Sequence, residues 1–198
     1  MDGGQYKPST ATAGPSGKIF IPKIAQTPGL DYEAELVIVI GKSCRDVTPE
    51  EAPSVILGYS VGNDVSHRPL QLGPGQWSLG KGFDSWAPWG PAIVSPSVIN
   101  DPQKLKIITR VNGEVRQNSN TKDMIFKVFE TVSRLSQGTT LLPGDLIFTG
   151  TPEGVAMGEQ KGKERWLKDG DVVEVEVENI GVCRNKISFE KAEGQAKL

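Results

Sequence analysis

Histidine and cysteine are scarce in this chain of 198 residues, which has one histidine, His67, and two cysteines, Cys44 and Cys183. A single histidine excludes zinc sites built from several histidines and any chemistry that needs a histidine pair. The cysteines lie far apart without the spacing of a metal site, which favours packed thiols in a reducing compartment. The sequence also lacks a Walker-type phosphate loop and the glycine fingerprint of a dinucleotide site.

Charge and hydropathy exclude further classes of protein. The formal net charge of -2 gives no electrostatic basis for binding nucleic acid or an anionic membrane surface. No apolar run approaches the roughly 18 residues of a membrane span. The start, Met1-Asp2-Gly3-Gly4, is not a signal peptide. We therefore expect a cytoplasmic or mitochondrial protein that is not secreted and has neither nucleic acid nor membrane as a partner.

Turn-forming residues are abundant, with 23 glycines and 14 prolines, and frequent turns favour a β-rich fold. The length is sufficient for one substantial core, and no linker or internal repeat divides the chain. We therefore predict one domain over residues 1–198, with an irregular segment at 1–16 and a frayed tail at 191–198.

The most informative stretch runs from 31 to 41. Five consecutive aliphatic residues, Leu36 to Ile40, followed by a glycine, predict a strand. Because side chains alternate along a strand, Glu33 and Glu35 point the same way, roughly 7 Å apart. Two such acids need water, a shared proton, basic partners or a cation, and a hard divalent cation suits their oxygen ligands. The alternative is an edge strand whose acids face solvent.

Local patterns predict the other elements. Strands are expected over 18–22, 59–65, 104–111, 114–117, 145–149, 171–177 and 182–189, with a hairpin at Asn112-Gly113. Glu174 and Glu176 are expected on a solvated face. A capping box at Thr48 predicts a short helix ending near Gly58. Helical spacing of apolar residues over 124–135 predicts a second helix, capped at Asn120 or Thr121 and ended by Gly138. Residues 67–90 should form a long, ordered loop.

Several short motifs occur in a specific order and spacing. They are Lys7-Pro8, Asp31-Tyr32-Glu33-Ala34-Glu35-Leu36, Gly62-Asn63-Asp64-Val65-Ser66, Gly80-Lys81-Gly82-Phe83-Asp84, Val111-Asn112-Gly113-Glu114-Val115 and Thr149-Gly150-Thr151-Pro152-Glu153-Gly154. Together they resemble the fumarylacetoacetate hydrolase family, in its smaller domain-containing branch. The resemblance covers roughly residues 6–190.

This resemblance implies a β-rich α+β fold: a mixed β-roll or barrel-like sandwich with a few short helices, usually a homodimer. It also implies Mg²⁺ or Mn²⁺, with Ca²⁺ possible in crystals, held by Glu33, Glu35 and Asp64. The first two are the acids that alternation already places together. Three carboxylates and one dication leave the site with one negative charge. The family's active-site lysine, which is Lys81 here, would bring the site near neutrality.

The resemblance further implies how a small anionic substrate is held. Arg68 and Gln71 would hold a carboxylate or carbonyl, Lys81 would stabilise an enolate or orient water, and Gly150 and Thr151 would donate to the carboxylate end.

Each of these residues has a plainer alternative. Arg68 would be a surface cation, Gln71 only a loop residue, Lys81 a structural partner of Asp84, and Thr151 a turn former. His67 would be a proton shuttle or, more commonly for a lone histidine, a packed residue.

The implied function is that of a divalent-metal-dependent enzyme acting on a 2-oxo acid or 1,3-dicarbonyl compound, such as an acylpyruvate or oxaloacetate. The reaction would pass through a metal-stabilised enolate, by C–C bond cleavage (hydrolysis or decarboxylation) or keto–enol tautomerisation. Relatives that hydrolyse C–C bonds usually carry a histidine–glutamate pair before the Lys-Pro motif, and no histidine precedes His67. Tautomerisation or decarboxylation of an oxaloacetate-like acid depends more directly on the metal than that route of hydrolysis does. The alternatives are a catalytically silent metal-binding module or a specialised biosynthetic enzyme on a β-dicarbonyl.

Overall fold

A computed structural model describes residues 6–191, which form twelve strands and two α-helices. The strands are β1 Thr12–Ala13, β2 Ser16–Ile21, β3 Leu30–Asp31, β4 Ala34–Ile40, β5 Ile56–Asn63, β6 Ser66–His67, β7 Ala87–Val94, β8 Lys106–Val111, β9 Glu114–Asn120, β10 Leu146–Phe148, β11 Val172–Val177 and β12 Gly181–Phe189. The helices are α1 Arg68–Leu72 and α2 Val128–Ser136. Among the described residues, no helix has the length and apolar character to cross a membrane.

Ten of the strands form two five-stranded sheets with the orders β1-β7-β5-β4-β10 and β2-β12-β11-β8-β9. The remaining two, β3 and β6, form a short ribbon. Neighbours are antiparallel except for β1 with β7 and β2 with β12, which are parallel. This mixed, β-rich arrangement with two short helices confirms the predicted fold class.

Strand β4 is buried along its whole length, as expected for a strand with a neighbour on each side. Three of its alternating side chains, Leu36, Ile38 and Ile40, enter the hydrophobic core. They lie there together with three residues of β11, which are Val173, Val175 and Val177. Because alternation puts odd-numbered residues on the other face, Glu35 points away from that core. The core thus fixes the direction in which the acids point.

The Asn112-Gly113 hairpin is confirmed. Both residues have positive φ, 52° and 83°, and Val111 pairs with Glu114 across the turn. Two positive φ angles in a two-residue turn match the twist of antiparallel strands, which explains the preference for this dipeptide. The start of the chain is less irregular than expected, since Ser9–Ala11 forms a 3₁₀ turn and β1 pairs with β7. Of the predicted frayed tail, residues 192–198 lie outside the described residues.

The helix expected from Thr48 to Gly58 is wrong. Its capping box does form, because Thr48 N–H donates to Glu51 Oε2 at 2.9 Å and Glu51 N–H donates to Thr48 Oγ1 at 3.3 Å. Only a 3₁₀ turn, Ala52–Ser54, follows. Ile56 then pairs with Ile40 in the first sheet, so strand pairing overrides the local helix signal.

The second helix exists but begins at Val128, not at Asn120 or Thr121. The Asn120 side chain instead accepts from the Lys122 N–H of a separate 3₁₀ turn. The backbone then becomes extended at Met124, and Ile125 is 88% exposed. The helix ends before Gly138, whose φ of 69° fits the predicted terminator. The predicted loop 67–90 contains α1, a 3₁₀ turn and the start of β7.

Candidate metal and substrate site

Three acids converge where β4 and β5 pair. Glu35 lies opposite Gly62, Ala34 lies opposite Asn63, and the Asp64 N–H donates to the Glu33 carbonyl oxygen at 2.9 Å. This register brings Asp64 beside the two glutamates. One carboxylate oxygen from each of Glu33, Glu35 and Asp64 lies within 4.8 Å of the others, and all three residues are buried.

Gly62, opposite Glu35, is required by close packing. A Cβ atom at this position would lie 2.4 Å from Phe148 Cε1 and 2.6 Å from Val37 Cγ2. Both distances are shorter than real carbon contacts allow, so a side chain here would have to displace the Phe148 ring and the Val37 methyl group. The absence of a side chain lets β10 pack against the strand that carries the acids.

Two lysines bind these carboxylates. The Lys81 ammonium lies 2.6 Å from Glu33 Oε2 and 2.8 Å from Asp64 Oδ2, and Lys7 Nζ lies 2.6 Å from Asp64 Oδ1. Lys7 also donates to the main-chain carbonyl oxygens of Lys81 and Trp86. Lys81 therefore belongs to the acid cluster. The plainer alternative paired it with Asp84, but its ammonium binds Glu33 and Asp64 instead.

Arg68 is buried and paired with carboxylates, so it is not the surface cation of the plainer alternative. Its Nε and Nη2 atoms lie 2.9 and 2.8 Å from Asp31 Oδ2. Its Nη1 atom donates to Glu33 Oε1 at 2.6 Å and to Gln71 Oε1 at 2.9 Å. The structure thus brings Arg68 and Gln71 next to a predicted metal ligand, with the guanidinium charge already balanced by two carboxylates.

Asp31 is a site residue that the sequence analysis did not identify. Besides Arg68, its carboxylate accepts the main-chain N–H groups of Ala156 and Met157, at 2.9 and 3.0 Å. Its side chain is completely buried. Asp31 lies on β3, whereas the acid-bearing strand β4 begins at Ala34, so alternation along one strand does not predict its place in the site.

The loop 150–154 is fastened to the acid-bearing segment at several points. The Gly150 N–H donates to Glu35 Oε2 at 2.6 Å, and the Tyr32 hydroxyl donates to the Gly154 carbonyl oxygen at 2.9 Å. A buried amide, Gln117, donates to Thr151 Oγ1 at 2.8 Å. These bonds place Gly150 against Glu35 and Thr151 against Gln117, and the role of both residues as donors to a substrate carboxylate stays a prediction.

The charged groups of the cluster shift one another's pKa values. Burial and the neighbouring carboxylates of Asp64 and Glu33 raise the pKa of Glu35 well above its ordinary value. Burial alone would lower the pKa of Lys81, but the carboxylates of Asp64, Glu33 and Glu35 outweigh it and the net shift is upward.

Formally, four carboxylates face three cations in this cluster, which leaves one negative charge; its members are Asp31, Glu33, Glu35, Asp64, Lys7, Arg68 and Lys81. A bound dication would change that balance to one positive charge, which suits an anionic ligand.

A hard divalent cation fits this donor set. The three converging groups are carboxylates, which supply the oxygen ligands that Mg²⁺, Mn²⁺ and Ca²⁺ prefer. Burial and the nearby Asp64 and Glu33 carboxylates both disfavour the charged form of Glu35, and a cation between these groups would favour it. Glu33, Glu35 and Asp64 are the residues that would hold the ion.

His67 lies on the β3–β6 ribbon, opposite Leu30. It is buried, with Nε2 3.0 Å from Thr27 Oγ1, and its Nδ1 atom has no hydrogen-bond partner among residues 6–191. Burial lowers its pKa from 6.5, so the ring is neutral near pH 7. This geometry is that of a packed residue, and a catalytic role for His67 stays a prediction.

A β-rich domain with two five-stranded sheets and a buried centre of three carboxylates is thus the class of structure that this chain forms. Residues 3–188 match the family model described as "Fumarylacetoacetate (FAA) hydrolase C-terminal". The chain belongs to this family.

Similar proteins carry several enzyme names. The chain is 44% identical over 181 residues to the Bos taurus "Oxaloacetate tautomerase FAHD2A, mitochondrial", covering 90% of this chain and 56% of that protein. It is 46% identical over 176 residues to the "2,4-didehydro-3-deoxy-L-rhamnonate hydrolase" of Sphingomonas sp. (strain SKA58), covering 88% of this chain and 61% of that protein. The chain therefore spans little more than half the length of these two relatives.

Solved structures agree with the fold. A 5-carboxymethyl-2-hydroxymuconate delta-isomerase from Mycobacterium smegmatis superimposes with a TM-score of 0.84 at 42% identity, covering 94% of this chain and 68% of that one. A fumarylacetoacetate hydrolase from Exiguobacterium antarcticum has a TM-score of 0.87 at 41% identity, covering 93% and 65%. Relatives with the same fold are therefore named as tautomerase, isomerase and hydrolase.

Proposed function

We propose that this chain forms the site of a Mg²⁺- or Mn²⁺-dependent enzyme acting on an oxaloacetate-like 2-oxo acid or a 1,3-dicarbonyl compound such as an acylpyruvate. The observation that carries the proposal is the convergence of Glu33, Glu35 and Asp64 within 4.8 Å, with the Lys81 ammonium on two of them. A bound dication would supply Lewis-acid polarisation of the substrate oxygens.

Within this proposal, the chain's own residues hold and stabilise the anionic substrate. Lys81 places a positive charge where negative charge develops on an enol oxygen, and such stabilisation is usually the largest catalytic term. Thr151 supplies a donor for the substrate carboxylate from the loop that Gly150 anchors on Glu35. Arg68, bound to Asp31 and Glu33, fixes the position of the Glu33 carboxylate.

Keto–enol tautomerisation is the reaction we favour. It breaks one C–H bond beside a carbonyl and forms one O–H bond at the carbonyl oxygen, or the reverse, with no C–C bond broken and no water consumed. The 44% identity to the bovine oxaloacetate tautomerase supports this choice. Hydrolysis of a C–C bond is the second candidate, supported by the 46% identity to the Sphingomonas hydrolase.

The test is a substrate panel with metal removed and restored. The chain is stripped with EDTA, reloaded with Mn²⁺ or Mg²⁺, and supplied with oxaloacetate and acylpyruvates, while enol absorbance and product mass are followed. Metal ions without protein give the background rate. We expect turnover above background that EDTA abolishes and Glu35→Gln removes.

Turnover that persists in EDTA would refute the proposal. Binding of Mn²⁺ and oxalate without any turnover would instead indicate a catalytically silent module. The homodimer implied by the family stays a prediction, which light scattering on the same samples checks.

A further inference from the structure

A single buried side chain, Gln117 on β9, joins the acid-bearing strand to the loop that carries Thr151. Its Oε1 atom accepts from the Ala34 N–H at 3.1 Å and from Thr109 Oγ1 at 2.7 Å. Its Nε2 atom donates to Thr151 Oγ1 at 2.8 Å and to the Pro152 carbonyl oxygen at 2.9 Å. An amide has two donors and two acceptor sites, so its full capacity is used.

The orientation of this amide follows from its partners. The Ala34 N–H can only donate, and the Pro152 carbonyl oxygen can only accept. A flipped amide would place an NH₂ group against an N–H and an oxygen against a carbonyl oxygen. The arrangement therefore has Oε1 toward β4 and Nε2 toward the loop, with the Gln117 side chain 1% exposed.

This orientation fixes the role of the Thr151 hydroxyl. Its oxygen accepts from Gln117, and the hydroxyl makes no other hydrogen bond among residues 6–191. Its own proton is therefore available to an outside acceptor. Thr151 is partly exposed and directly follows Gly150, whose N–H reaches Glu35. The free donor thus lies at the edge of the acid cluster.

We propose that Gln117 is a positioning residue that makes Thr151 a hydrogen-bond donor to the carboxylate of the bound acid. The inference rests on the proposed function, because it assigns the acceptor of the Thr151 proton to that substrate. Gln117 also bonds the peptide N–H of Ala34, between Glu33 and Glu35, so it sets the distance between the donor and the metal ligands.

The test uses Gln117→Glu, which is nearly isosteric but can only accept once ionised. Its carboxylate would accept a hydrogen bond from the Thr151 hydroxyl, and the substrate would lose that donor. We expect the Kd of oxalate for the Mn²⁺-loaded protein to rise about tenfold or more, since hydrogen bonds to charged groups are worth that much. Thr151→Val should raise it equally. The Kd of Mn²⁺ should change less than about threefold.

The double variant separates positioning from a simple charge effect. If Gln117 acts through Thr151, Gln117→Glu in the Thr151→Val background should weaken oxalate binding no further, because the donor is already gone. A repulsion between the new carboxylate and oxalate would persist in that background. Gln117→Met, which adds no charge, should also weaken oxalate binding, and it decides the question if the glutamate variant does not fold.

Gln103→Glu is the matched control. Gln103 is also a bridging amide, bonded to Thr121 and Val128 and not to the loop 150–154, so this variant should bind oxalate like the wild type.

Unchanged oxalate affinity in folded Gln117→Glu and Gln117→Met would overturn the inference, and so would additive losses with Thr151→Val. If wild-type protein binds oxalate but turns over no 2-oxo acid, the proposed enzyme function fails. The oxalate affinities of the variants still test the positioning role of Gln117 in that case.

Discussion

The Asp64 main-chain N–H donates to the carbonyl oxygen of Glu33 at 2.9 Å, so these two acids face each other across paired backbones. The same pairing places Gly62 opposite Glu35. Main-chain hydrogen bonds thus bring the residues that carry the carboxylates close together, independently of any side-chain contact. A one-residue change of register would move Asp64 to the opposite face.

Replacing Glu35 by glutamine should weaken metal binding and strengthen the metal-free fold. The amide keeps the shape and an acceptor for the Gly150 N–H, but it removes one charge from three repelling carboxylates. We expect the Mn²⁺ affinity to fall by at least about tenfold, since even residues around metal ligands cost that much. The melting temperature in EDTA should rise. Calorimetric titration and thermal unfolding measure the two effects, and a lower melting temperature in EDTA would contradict the repulsion.

Asp31→Asn should be among the most destabilising single-atom changes in the chain. It removes the charge that balances the buried Arg68 guanidinium, while the shape is retained. Breaking a buried ion pair on one side costs about 3–5 kcal/mol. Urea unfolding measures the loss. Asp101→Asn, which affects an exposed pair with Lys104, is the control and should change the midpoint little. Equal stabilities of the two variants would show that Asp31 does not secure Arg68.

Gly62→Ala should destabilise the fold by about 1–3 kcal/mol through overpacking. The added methyl would meet Phe148 and Val37 at distances well under van der Waals contact. Gly14→Ala, where an added Cβ has nothing within 4 Å, should stay within about 0.5 kcal/mol of wild type. Chemical unfolding of both variants compares them. A neutral Gly62→Ala would mean that the Phe148 and Val37 side chains can shift to admit the methyl group without loss of stability.

The fold should lose stability in alkali through buried neutral groups. Burial raises the pKa of Cys183 from 9.0 to about 12, and burial, followed by the Asp101 carboxylate, raises that of Tyr59 from 10.0 to about 12. Only the unfolded chain releases these protons between the unfolded pKa, 9.0 for Cys183 and 10.0 for Tyr59, and about pH 12. Within its own window each group can therefore lower the free energy of unfolding by up to about 1.4 kcal/mol per pH unit.

Cys183→Ser tests the cysteine contribution, because serine can still donate to Asn185 Oδ1 as the thiol does but does not titrate in this range. Its free energy of unfolding should fall less steeply from pH 9 to pH 10 than that of the wild type. Identical slopes would mean that the thiol ionises as readily in the folded protein as in the unfolded one.

Much of the site follows from the sequence because its signals are local. Alternation places Glu33 and Glu35 on one face, and the hairpin at Asn112-Gly113 needs only the positive φ of two residues. The remaining partners are set by contacts between distant segments. Lys7 reaches Asp64, and Gln117 reaches both Ala34 and Thr151, across separations that no local pattern encodes.

The wrong helix at Thr48 shows the opposite case. Its local signal is real, since the reciprocal hydrogen bonds of the capping box form. The residues after it gain more by extending into the first sheet beside Ile40, where Ile56 is buried. Local propensity decides an element only where the tertiary structure does not demand another.

The loop 150–154 reaches Glu35 and Tyr32 across sequence separations of 115 and 122 residues. The centre is therefore complete only once these distant segments have come together. Retention of Mn²⁺ during refolding should consequently appear only with the folded domain, and chelators should accelerate unfolding of the whole domain instead of releasing one edge.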